Sequence, residues 1–422
     1  MRSKSIIFLI AILSLSIVSS AAPTITLNQL ALQAISENSK EAEIAVRELR
    51  ERGAEGLQTL FETYAAEIEN YKKNGEATEK WQKIANALDS VAMQKDVYAS
   101  KLFWHKDLAK AQAESKRTNK PILSLRLLGN LNEEFSCANS RFFRAILYPN
   151  AQISNYLREN YVLHWQSVRP APKITIDFGD GRKIERTITG NSIHYILNKN
   201  GEVIDALSGL NNPQVFLEFL TTGQSLTKSL GDSNMFRGSK HRRLTEELNR
   251  IGQQLKLQFD TSRKPVRNYE EMPAAISAMT IATTKMMTEM RILKDITADM
   301  TKYGEEQINL DTWKQFAKLA RKEAKLDENS IGFIRRQNAK LSGQEFSSMI
   351  SKVEEFVSID TARNEYLLRP TLLVWLAKNE GKDVSKFNEK IYSDLFFTPS
   401  ADKWLGLYAP DIYTALDGNG IR

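Results

Sequence analysis

The sequence predicts an α/β fold with all-α flanks: one mixed β-sheet in the middle third, with helical regions before and after it. Three observations carry this. Residues 101–225 alternate short apolar runs of strand length with helical spacing. Glycine- and asparagine-rich turns separate the later runs. The stretches on either side keep helical spacing and contain no strand-like runs.

The N-terminal flank comes first. Ile44, Val46, Leu49 and Leu60 supply apolar faces, and Gly53 fits a helix stop. Asn38 with Glu41 three residues on reads as a capping box at a helix start. The stretch 22–100 is therefore expected to be helical.

The middle segment opens with a helix over 108–120, stopped by Pro121. Ile122 to Leu128 is a nearly continuous apolar run, interrupted by Ser124 and Arg126. Helices follow over 139–148 and 151–159, then a strand over 161–165. Ile174 to Phe178 alternates with period two, Gly179-Asp180-Gly181 turns the chain, and Arg182 to Ile188 completes a hairpin. Strands over 193–197 and 203–207 flank the turn at Asn198 to Gly201. Asn212-Pro213 starts a closing helix, with asparagine as cap and proline in the first turn. A β-α-β crossover followed by an antiparallel pair predicts a mixed sheet between helices.

Residues 226–265 read as a linker and helix, and 266–422 as a C-terminal helical domain. Helices are expected near 311–325, 329–340, 343–357, 361–379 and 384–396. Met272, Met279, Met286, Met290 and Met300 fit the core face of a long helix. Lys240-His241-Arg242-Arg243 fits a solvated helix start.

Composition bounds the function. The 422 residues leave room for two or three domains, and 42% apolar residues suffice for packed cores. Arg2 and Lys4, the apolar run from Ile6 to Val18, and Ser19-Ser20-Ala21 form a secretory signal pattern over 1–21. The expected location is periplasmic or extracellular, with no stable membrane span after cleavage. A formal net charge of +7 is modest for this length and argues against a nucleic-acid partner. The single cysteine, Cys137, rules out an intramolecular disulfide.

Trp104 to Leu108 opening an alanine-containing helix, Asn119 to Leu123 entering a strand, Ser136 to Ser140 before a helix, and LNKNGEVIDALSG as a terminal hairpin occur in a telling order. In this order, over roughly 120 residues by the usual size of one domain, the segment resembles the thioredoxin superfamily. The resemblance makes the fold class α/β plus all-α, with a central thioredoxin-like mixed sheet. It implies that Cys137 stands at the first position of the family's Cys-x-x-Cys site, at a helix N-terminus that favours thiolate. Ser140 takes the second position. Serine cannot resolve a mixed disulfide, so a dithiol cycle within one chain is excluded and only a monothiol reaction is open. The family's proline before the strand facing the cysteine is replaced here by Ser192 or Ile193.

The candidate catalytic residues are Cys137 and His194, whose imidazole could pair with the thiol if the two come within hydrogen-bond reach or one water. Asn139, Ser140, Asn191 and Ser192 are candidate binding residues around them. His164 reads as packing and His105 as support for a helix start. No metal site and no cofactor is expected: the four histidines are scattered, and Gly-x-Ser-x-Gly, His-Glu-x-x-His, P-loop and Rossmann patterns are missing. Two functions stay open: a non-catalytic binding or scaffold module with a protein partner, and a monothiol oxidoreductase or redox-client binder using Cys137.

Overall fold

The computed structural model describes residues 25–230 apart from 189, and 322–421 apart from 379 and 406–414, together with positions 246, 314, 317 and 318. The signal pattern over 1–21, the basic cluster at Lys240 to Arg243 and the methionine series at Met272 to Met300 lie outside the described residues.

Five helices open the described chain: α1 (Leu27–Gln33), α2 (Ser39–Glu51), α3 (Ala54–Thr63), α4 (Ala65–Asn74) and α5 (Glu79–Ala92). Leu49, Leu60, Ile84, Leu88 and Val91 lose all solvent contact between them, which is the apolar stripe doing its ordinary work. The expected capping box at Asn38 is not reciprocal. The Asn38 side chain does accept the Lys40 N–H, but Glu41 instead accepts the Ser36 hydroxyl. Reciprocal boxes occur at Thr26 with Gln29 and at Ser342 with Glu345.

The middle segment follows as β1 (Trp104–His105), α6 (Leu108–Thr118), β2 (Ile122–Leu128), α7 (Ala138–Phe142), α8 (Ala151–Asn160), β3 (Val162–Arg169), β4 (Lys173–Asp177), β5 (Lys183–Thr187), β6 (Ser192–Leu197), β7 (Val203–Ser208) and α9 (Pro213–Leu230). Five strands form one sheet in the order β1-β3-β2-β6-β7. β3 runs parallel to β1 and β2; β6 is antiparallel to β2 and β7 to β6. Every residue of β2 is buried, as a central strand covered on both faces requires. β4 and β5 pair only with each other. Their turn is held by Asp177 accepting the Gly179 N–H (2.9 Å) and Asp180 accepting the Arg182 N–H (3.0 Å).

The C-terminal helices are α10 (Glu328–Gln337), α11 (Gly343–Arg363), α12 (Arg369–Ala377) and α13 (Val384–Lys390). α11 runs into α12 through a wide π turn over Asn364–Leu368, and α13 continues through another over Ile391–Leu395. The helix expected to reach 325 is not present over 322–325. There the backbone is spent on α11: the Ala324 N–H goes to the Ser358 hydroxyl (2.7 Å) and the Leu326 N–H to Glu354 (3.0 Å). The architecture is thus mixed α/β, with N-terminal helices, a central mixed five-stranded sheet and a C-terminal helical region. No helix among the described residues is long and apolar enough to cross a membrane.

The C-terminal helices lie on the sheet. Arg369 forms a two-pronged ion pair with Asp205 of β7, at 2.6 and 2.9 Å, with both side chains buried. Tyr195 of β6 donates to Asn388 (2.9 Å). Thr361 accepts the Asn212 N–H (2.8 Å), and Asn364 donates to the Leu210 carbonyl (2.7 Å).

Candidate functional site

β2 ends at Leu128 and the chain turns back through Gly129. Its φ is +73°, and a Cβ there would stand 3.1 Å from the Ser136 Cα, so glycine permits both the turn and the close return of the loop. The return is fixed by the Cys137 N–H donating to the Leu128 carbonyl (3.1 Å). Cys137 is then the N-cap of α7, at the end of the central strand. Its side chain has no solvent exposure.

The residues around it are committed to structure. The Ser140 hydroxyl donates back to the Cys137 carbonyl (2.8 Å) and lies 2.5 Å from the Ser136 hydroxyl, the back-bonding common to serine near a helix start. The Asn139 amide donates to the Gly190 carbonyl and to the Ser192 hydroxyl, the latter at 2.8 Å. These bonds hold α7 against the loop that enters β6. The far side of that loop is held by the C-terminal region. The Asn191 amide donates to Thr398 (3.1 Å), and the Asn191 carbonyl accepts the Tyr392 hydroxyl (3.1 Å). Arg169 at the end of β3 donates to the Asp402 carbonyl (2.7 Å) and to that of Thr398.

His194 is buried on β6, its ring 4.6 Å from Phe143 and 4.9 Å from Phe216. Nε2 is paired with the Tyr148 hydroxyl at 2.9 Å and Nδ1 has no partner. Burial pulls its pKa down to about 3, so the ring is neutral. No hydrogen bond joins His194 to Cys137. The Tyr148 hydroxyl stands in the field of both, and its pKa is raised by burial first and by Cys137 second. Tyr392 is raised in the same way. The structure thus gathers Cys137, Asn139, Ser140, Asn191, Ser192 and His194 at one end of the sheet, with Tyr148 and Tyr392 between them.

The two tyrosines and Thr398 escape sequence reasoning. Tyr392 and Thr398 are more than 180 residues from the loop they hold, in a segment with no local signal. Arg126 does leave a signal, as a charge inside the apolar run of β2. His164 donates or accepts through Nδ1 with Ser124 (2.8 Å), and burial pulls its pKa down to about 3. Among the described residues no group of three or more histidine, cysteine, aspartate or glutamate side chains could hold a metal ion. In comparisons with known proteins, no family model, no curated protein and no solved structure matches the chain.

Proposed function

We propose that the protein is an exported binding or scaffold module, built on a thioredoxin-like domain whose cysteine is structural and not catalytic. The thioredoxin-like reading is supported by the strand order and by Cys137 standing at a helix start just past the central strand. The hairpin β4–β5 occupies the connection between β3 and β6. Export is supported by the signal pattern at the N-terminus. The observation that carries the functional reading is the complete burial of Cys137. A thiol that attacks a client disulfide must reach it in line, and here the sulfur has no exposure, with Tyr148 and Tyr392 close enough to feel its charge. Ser140, which stands where a resolving cysteine would be, is turned onto the Cys137 carbonyl.

Alkylation of the thiol tests this directly. Iodoacetamide at pH 8 should modify the native protein at least about 100-fold more slowly than the urea-unfolded chain, because reaction requires a sub-global opening of about 3 kcal/mol. Native alkylation at the unfolded rate, with reactivity persisting well below pH 8, refutes the structural cysteine. It would install the monothiol reading, which trapping of client proteins by wild type but not by Cys137→Ala would then establish.

A further inference from the structure

β2 carries an arginine in the interior of the sheet. Ser124 and Arg126 alternate with Leu123, Leu125 and Leu127, so they share a face with their register neighbours His164 and Gln166 on β3 and Tyr195 and Ile193 on β6. Arg126 is 2% exposed, and both terminal guanidinium nitrogens are buried without a hydrogen-bond partner. A buried cation without a partner is among the costliest arrangements a fold can hold.

The groups that share its field are the hydroxyls of Tyr195 and Tyr392, the imidazole of His164 and the amine of Lys106. None of those acting on Arg126 is a carboxylate, although Glu133 acts on Lys106 and Asp107 on His164. Both hydroxyls are already donated, to Asn388 and to the Asn191 carbonyl. His164 adds a second buried, unpartnered polar atom, Nε2. Lys106 packs its amine 3.0 Å over the Trp165 ring. Its pKa falls to about 8 through burial, then through Arg50 and Arg126. Gln166, the register neighbour of Arg126 on β3 and beyond the two residues of β1, is exposed, so solvent reaches this face there. An unpaired guanidinium and an unpartnered imidazole nitrogen therefore share one side of the sheet, while the Lys106 amine lies against Trp165 on the other.

We infer that Arg126 anchors an oxyanion-binding site, its guanidinium fork taking two oxygens of a carboxylate or phosphate group that approaches past Gln166. A planar fork matches two oxygens of either group, and charge-assisted bonds of this kind are the strongest available to neutral-pH side chains. Lys106 adds positive potential from the opposite face, and the unpartnered His164 Nε2 carries a proton to donate when the Ser124 hydroxyl donates to Nδ1. This site does not depend on how Cys137 is read, because no group in it belongs to the thiol's surroundings except Tyr392.

Thermal unfolding of the full mature chain tests the inference, with sodium phosphate and sodium acetate titrated separately at fixed ionic strength. Wild type should show a saturable rise in Tm of about 2–5 °C once either anion exceeds its Kd tenfold. Arg126→Met should lose that rise and, without anion, unfold at or above the wild-type temperature, since a costly charge is gone. Arg126→Lys keeps the charge without the fork and should need about tenfold more anion. A flat wild-type response to both anions overturns the site, as does a rise retained in Arg126→Met. Should Arg126→Met not fold, an unchanged anion midpoint in Arg126→Lys overturns it equally.

Discussion

The ion pair between Asp205 and Arg369 is the sharpest test of how the C-terminal helices protect the sheet. Both carboxylate oxygens meet guanidinium nitrogens, at 2.6 and 2.9 Å, with the side chains 2% and 6% exposed. Arg369 also donates to the Ala206 carbonyl. Removing one partner leaves the other charged and dry, which costs about 3–5 kcal/mol, whereas replacing both by apolar groups is close to neutral. Asp205→Leu and Arg369→Met should each lose about 3–5 kcal/mol in urea unfolding followed by far-UV circular dichroism. The double variant should recover most of that loss, giving a coupling energy above about 2 kcal/mol. Because the pair fastens α12 to β7, each single variant should also speed native alkylation of Cys137, by about 100-fold if opening becomes easier by about 3 kcal/mol. Single losses below about 1 kcal/mol with no coupling would refute the energetic argument. A large loss of stability with unchanged alkylation would refute the shielding argument.

Two further outcomes follow from the same geometry. Burial, then the neighbouring Asp96, pushes the Asp89 carboxyl up to about 7; its contribution is complete below its ordinary 3.8 and is lost as pH rises through 7. Asp89→Asn should therefore gain on wild type by up to about 1.4 kcal/mol per pH unit across that window, the buried histidines cancelling in the difference, and a constant gap between the two proteins contradicts this. Gly209 has a φ of +66°, and a Cβ there would meet the Asn364 amide at 2.5 Å. Gly209→Ala should cost about 2 kcal/mol in thermal unfolding, and an unshifted Tm would contradict the close approach.

Much of the fold is legible because it is written locally. Pro121 and Gly129 bracket an apolar run, and β2 occupies that run from end to end. Asn212 caps α9 as its side chain predicts, accepting the Val215 N–H at 2.8 Å. β3 is longer than its apolar run because Gln166 to Arg169 are held by pairing with Arg126 to Leu128 rather than by their own preference. The position of Cys137 at a helix start is legible for the same local reason. Its burial is not, because it depends on tertiary neighbours such as Tyr392, 255 positions away. The commitment of His194 to Tyr148 is likewise a tertiary contact between residues 46 positions apart.

The two borders of the main sheet are finished differently. β1 is two residues long, and at the opposite margin the Ala206 carbonyl is occupied by Arg369. β7 is wholly buried beneath the C-terminal helices, so that margin is closed to another chain's strand. Crowding of many copies should therefore not zip them together along the β7 margin.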